Sequence, residues 1–177
     1  QRQMCIRDRG ADQVVTLFKY KQWIDAETLQ AIKRVDTSVY AHKHHLMLRL
    51  MNHIYVVDMI FRANISGQKH GYTALNTPET PSADELLSKM TECTDWNIQY
   101  VSTMSAVDFS HSIEFRFVDG GKGEMKALDM LNHVLFHGTY HRGAVGWLLS
   151  ECGVTPPKDV LTAVSYTHLT LPTKRIV

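Results

Sequence analysis

Four histidines of this 177-residue chain fall at helical spacings within apolar stretches. His133, His137 and His141 follow one another at intervals of four. Met130, Val134, Val145 and Leu148 continue the same three-and-four rhythm around them. At 100° per residue, His137 and His141 lie within roughly 40° of the centre of that stripe, whereas His133 lies about 80° off it. Two imidazoles one turn apart on a buried face can both reach one cation. The outer pair, separated by about 12 Å of helix, cannot easily do so. His53 belongs to a second stripe with Leu46, Leu50, Val57 and Ile60. Three core-facing histidines from two helices would make a three-nitrogen metal site with coordination positions left open. Such a cation is a Lewis acid that lowers the pKa of a bound water or thiol. Two chemistries follow: hydrolysis by metal-bound hydroxide, and attack of a metal-bound thiolate on an electrophile. A solitary histidine on an apolar stripe is more often a satisfied core residue than a ligand. A pair shifts the balance, because burying two imidazoles without a partner is costly. The third helps only if it faces the pair, and spacing alone does not say so.

The remaining reactive residues carry less. His133 reads as a group behind the ligands or as a core edge. His42, His44 and His45 read as a solvated turn at the start of the second helix, since no matching ligands adjoin them. Arg142 points about 100° away from His141 around the helix, which suits a structural or dimer ion pair better than a substrate clamp. Cys93 and Cys152 read as small core or helix-end residues. A di-iron carboxylate centre would need Glu-x-x-His pairs, and the chain has none.

The elements that must position these residues are legible in the periodicity. A first helix is expected over about residues 12–35, where Val14, Leu17, Ile24 and Ile32 recur without Gly or Pro. A second is expected over about 44–65, stopped by Gly67. Residues 66–81 form a loop rich in Gly, Thr, Asn and Pro. Ser82 and Glu85 make a capping box for a third helix running to about Met104, with Leu86, Met90, Cys93, Tyr100 and Met104 inward. Ile113, Phe115 and Phe117 then alternate with charged residues, and the Asp119-Gly120-Gly121 turn returns the chain, giving a hairpin at 112–126. The last helix spans about 128–152, ended by Gly153 and Pro156-Pro157. The fold class is all-α: a four-helix bundle with a short β-hairpin before the last helix. The hairpin and the 66–81 loop would shape the substrate pocket.

Composition fits one soluble domain, with 44% hydrophobic and 21% charged residues. No apolar run approaches the ~20 residues that span a bilayer, and the amino terminus does not read as a signal peptide. A net charge of +1 argues against a nucleic-acid partner. Three cysteines form neither a disulfide framework nor a CxxC knuckle, which points to a reducing cytoplasm. The two ends stand apart. Residues 1–9 (QRQMCIRDR) and 164–177 (VSYTHLTLPTKRIV) both read as translations of a transposase sequencing adapter, in opposite orientations. The codons that can be written for Gln3–Asp8 and for Val164–His168 overlap as reverse complements. The expected domain is therefore residues 10–163, with 14 basic and 17 acidic residues and a net charge of −3.

The string HGTYHRG (His137 to Gly143), preceded by LNHVLF, resembles the signature of the DinB/YfiT-like metalloprotein family, as does LMNHIYVVD (Leu50 to Asp58). LFKYKQWIDAETLQAI at the start and GVTPPKDVL at the end fit as well, so the resemblance covers residues 13–163. It implies a four-helix bundle, often homodimeric, holding a divalent metal through His53, His137 and His141. Zinc or nickel heads the expected metals, with iron or manganese behind, because imidazole suits several of them. The family's transferase members imply transfer of a low-molecular-weight thiol to an electrophile, the thiol coming from a cosubstrate. A metal-dependent hydrolase and a non-catalytic metal-binding stress protein are the alternatives. Ala144 departs from the pattern, since many relatives have Gln after HRG; the change bears on either the dimer contact or the pocket.

Overall fold

The structure, a computed structural model, describes residues 2–162, with side chains from Gly10 onward. The chain forms α1 (Arg2–Ile32), α2 (Thr37–Ile65), α3 (Ala83–Ser102), α4 (Ala106–Ser110), β1 (Ser112–Arg116), β2 (Lys122–Lys126) and α5 (Ala127–Glu151). The four long helices form the bundle, α1 lying chiefly against α3 and α2 against α5. Lys43 on α2 pairs with Glu151 on α5, and Phe61 stacks on His133, so α2 and α5 run antiparallel. Among the described residues no helix is long and apolar enough to cross a membrane.

Element boundaries follow local chemistry. α3 starts with the expected capping box: Ser82 Oγ accepts from Glu85 N–H and the Glu85 carboxylate accepts from Ser82 N–H. α5 ends at Cys152, followed by Gly153 at φ +73°, a left-handed conformation that glycine adopts without strain. The hairpin pairs Ile113 with Met125, Glu114 with Glu124, Phe115 with Gly123 and Arg116 with Lys122. Gly123 is required there: a Cβ would lie 2.6 Å from the Phe115 ring.

Three boundaries differ from expectation. α1 begins at Arg2 rather than near Asp12 and ends at Ile32 rather than near Val35. An anchored helix gains one hydrogen bond per added residue, so it propagates through polar sequence until a breaker intervenes. The start falls inside residues 1–9, and the 164–177 segment lies outside the described residues. α2 begins at Thr37 rather than His44, because the Asp36 carboxylate accepts from Ser38 N–H at 2.9 Å and caps a first turn that a kink at Tyr40 (φ −118°, ψ 31°) sets off from the apolar rhythm of the helix. α4, a single turn capped by Ser105 and Asp108, is too short for periodicity to reveal.

The buried face of α2 is also rotated from expectation. It runs through Met47, Met51, Ile54, Asp58, Phe61 and Ile65, while Leu46 is exposed. His53 therefore sits at the margin of that face, half-buried, turned toward α5. α1 buries Val14, Phe18, Lys21, Asp25, Thr28 and Ile32; α5 buries Leu131, Val134, Gly138, Arg142, Val145 and Leu149. Each stripe thus passes through charged residues at mid-length. They divide the core into an apolar cluster around Met47, Leu86 and Leu149 and another around Phe18, Phe61 and Met130.

Candidate metal centre

The backbone brings His53, His137 and His141 together. Ring centroids are 4.8 Å apart for His53 and His137, 4.6 Å for His53 and His141, and 4.5 Å for His137 and His141. One nitrogen from each lies within 4.8 Å of the others, and all three residues are half-buried. His53 Nδ1 is 2.8 Å from the Leu75 carbonyl oxygen. A carbonyl only accepts, so Nδ1 carries the proton and Nε2 presents a lone pair. That Nε2 stands 3.0 Å from His137 Nε2. The loop is itself tied to α2 on both sides of His53. Arg49 Nη1 donates to the Thr77 carbonyl at 2.7 Å, and Asn52 Nδ2 donates to Asn76 Oδ1 at 2.8 Å and to Thr77 Oγ1 at 2.9 Å.

Burial pushes the His137 pKa down to about 3, and the neighbouring His141 and His53 add to the shift. Burial, then His53, lowers His141 as well. These two rings are neutral at pH 7, so their lone pairs are available. A cluster of imidazoles with converging nitrogens fits a cation. Nitrogens about 2.1 Å from one shared ion stand roughly 3.0–3.4 Å apart, close to the spacing of His53 and His137. The three histidines could therefore hold a metal ion, and the donor set suits several divalent metals.

His133 is outside this group. Its ring stacks on Phe61 (centroids 4.6 Å, 12° between planes) and lies 5.5 Å from His137. His42 and His45 are exposed on the second turn of α2, and the His42, His44, His45 set joins no ligand cluster among the described residues. That segment is helical rather than a turn, because α2 starts at Thr37. Burial drives the Cys93 thiol up to about 12, which leaves it protonated and unreactive in the core. The 66–81 loop and the hairpin wall a cleft, and none of the three histidines lines it. Ring contacts run from Phe115 on the cleft wall through Phe61 and His133 to His137.

Beside the triad lies a buried ionic layer. Lys21, 1% exposed, bonds Asp25 at 2.6 Å and Asp58 at 2.7 Å. Arg142 Nη1 bonds Asp25 at 2.8 Å and its Nε bonds Asp159 at 2.9 Å; Tyr20 donates to Asp159 as well. Arg142 is thus a structural ion-pair residue within the chain. Burial opposes the Lys21 charge, yet the two carboxylates outweigh it and raise its pKa. Burial lifts Asp58 to about 6 against the pull of Lys21. The layer ties together α1, α2 and α5, and α2 and α5 carry the histidines. Gly138 makes room for it: a Cβ there would lie 2.8 Å from Arg142 Nη1 and 3.4 Å from Lys21 Cε. Reading apolar residues alone passes over Lys21, Asp25 and Asp58. The signal was present, because Lys21 and Asp25 hold positions of the stripe Val14, Phe18, Thr28, Ile32.

No individually curated protein matches the chain. A profile of the DinB family matches residues 8–174, nearly the whole length. With a helical bundle, a hairpin before the last helix and the histidine cluster in place, that match makes the chain a member of the DinB family.

Proposed function

We propose that the protein is a metal-dependent S-transferase, joining a low-molecular-weight thiol to an electrophile. The observation that carries this reading is the convergence of His53, His137 and His141 from two helices. A divalent cation held there supplies Lewis acidity, which lowers the pKa of a coordinated thiol. The chain contributes the rest. The Leu75 carbonyl fixes the His53 tautomer. The buried setting keeps His137 and His141 neutral. In the reaction the thiol sulfur forms a bond to carbon, the leaving group departs with its electron pair, and the thiol proton passes to solvent. The thiol comes from a cosubstrate, as the family's transferase members imply; among the described residues the cysteines Cys93 and Cys152 are both buried.

A homodimer is part of the same reading. Phe136, Tyr140 and Trp147 are 73%, 77% and 70% exposed on α5. Their steps of four and seven make one stripe, with Gly143 and Ala144 between them. Monomers rarely leave so much aromatic surface uncovered. Tyr140 also touches the His141 ring (centroids 5.0 Å), so a second copy on this face would border the triad.

The test uses protein purified without a histidine tag. Elemental analysis should return about one divalent metal per chain, and the loaded protein should conjugate cysteine or glutathione to 1-chloro-2,4-dinitrobenzene or monobromobimane. Metal content without turnover on a thiol panel, alongside ester or amide hydrolysis, would replace the transferase by a hydrolase. Metal without either activity would leave a binding protein.

A further inference from the structure

The cleft between the loop after α2 and the β-hairpin has a volume of about 910 Å³ and is lined by Lys69 and His70 on one side and by Glu114, Arg116, Lys122 and Glu124 on the other. The antiparallel register sets Glu114 directly opposite Glu124, and Arg116 directly opposite Lys122. Like charges facing each other across a ladder destabilise it. Here two such rungs are adjacent on one hairpin of five-residue strands. All four side chains are exposed on the same face of the hairpin. None of the four side chains enters an ion pair, and Arg116 reaches only the Gly120 carbonyl at 3.4 Å. On the facing wall, His70 Nδ1 is buried with no hydrogen-bond partner.

An unpaired carboxylate rung beside an unpaired cationic rung is complementary to a molecule carrying both charges. We propose that this cleft binds a small zwitterion, its ammonium between Glu114 and Glu124 and its carboxylate at Arg116 and Lys122, with Lys69 adding a third cation from the loop. The rungs are two residues apart along the strand, about 7 Å. A free α-amino acid is too short to bridge that distance, whereas a chain of two residues spans about 7 Å. The ligand class is therefore a dipeptide-length zwitterion. The site is separate from the histidine triad, and its existence does not depend on the metal reading.

Isotope-labelled full-length protein titrated with glycylglycine, N-acetylglycylglycine and glycylglycinamide at low salt tests the assignment by amide chemical shifts. Glycylglycine should produce saturable shifts over residues 113–125, while the acetylated and amidated forms bind about ten-fold more weakly. Glu114→Gln with Glu124→Gln should erase the preference over the acetylated form. Arg116→Gln with Lys122→Gln should erase the preference over the amide. Absence of saturable shifts with glycylglycine, equal binding of all three probes, or unchanged discrimination in both double variants would overturn the proposal. The wild-type probe comparison decides the matter even if a variant fails to fold, and metal content does not enter the readout.

Discussion

His53 offers its Nε2 to the other two rings because its Nδ1–H donates to the Leu75 carbonyl, while His137 and His141 are kept neutral by burial. If these three are the ligands, His137→Ala should abolish stoichiometric metal by elemental analysis, while His133→Ala, which removes a ring stacked on Phe61, should leave it largely intact. The reverse result would show that the wrong pair was chosen on α5. The lowered values also set a pH dependence. Below the ordinary histidine pKa of about 6.5, the unfolded chain takes up protons that the folded rings refuse, so stability falls as pH drops. Asp58 acts oppositely: burial raises its carboxyl from 3.8 to about 6, so acid favours the folded state between those values. Asp58 is already half protonated near pH 6 and offsets part of the histidine effect there, so that effect is cleanest between about pH 7.5 and 6.5. Urea midpoints of metal-free protein should decline across that window, and the decline should flatten in His137→Ala.

At the scale of elements, the three helices α1, α2 and α5 are registered by charges rather than by apolar contacts alone. Lys21 is the shared cation of Asp25 and Asp58, and all three are buried. Lys21→Met removes one partner from that network and leaves buried carboxylates uncompensated, which typically costs about 3–5 kcal/mol. Denaturant unfolding of the variant against the parent measures it, and a loss below about 1 kcal/mol would mean the layer is solvated or dispensable. Legibility varied by element for a physical reason. Capping and turn chemistry are local, so the Ser82–Glu85 box, the 112–126 hairpin and the Gly153 stop were all readable. The α2 boundary was not, because the segment from Thr37 is started by the Asp36 cap and its helical geometry is interrupted at Tyr40 (φ −118°, ψ 31°), so Val39 and Tyr40 do not continue the apolar rhythm of the helix. The buried face of α2 lies one residue away from the expected stripe and includes Asp58, a charge accommodated in the core because Lys21 meets it from α1.

For the whole molecule, the exposed aromatic stripe of α5 is the feature a lone bundle does not explain. Trp147→Glu places a charge at the C-terminal end of that stripe, at a position 70% exposed and outside the core. If copies of the chain pack through α5, the variant should shift from dimer to monomer in analytical ultracentrifugation while keeping its helical circular dichroism. A parent protein that is monomeric at micromolar concentration would remove the dimer from the proposal. Ala144 is exposed on the same side of α5, so the departure from HRG-Gln falls at this surface and not on the cleft wall.

The amino-acid order by itself determined the helical class, the hairpin and its turn, and the pairing of His137 with His141, because each depends on neighbours within a few residues along the chain. Packing alone decided that His53 meets that pair, since residues 84 positions apart become neighbours only when two antiparallel helices close. It also decided that Lys21, Asp25, Asp58 and Arg142 lie inside. A charge enters a core only where its counter-charge arrives from another helix, and no single stretch of sequence contains that information.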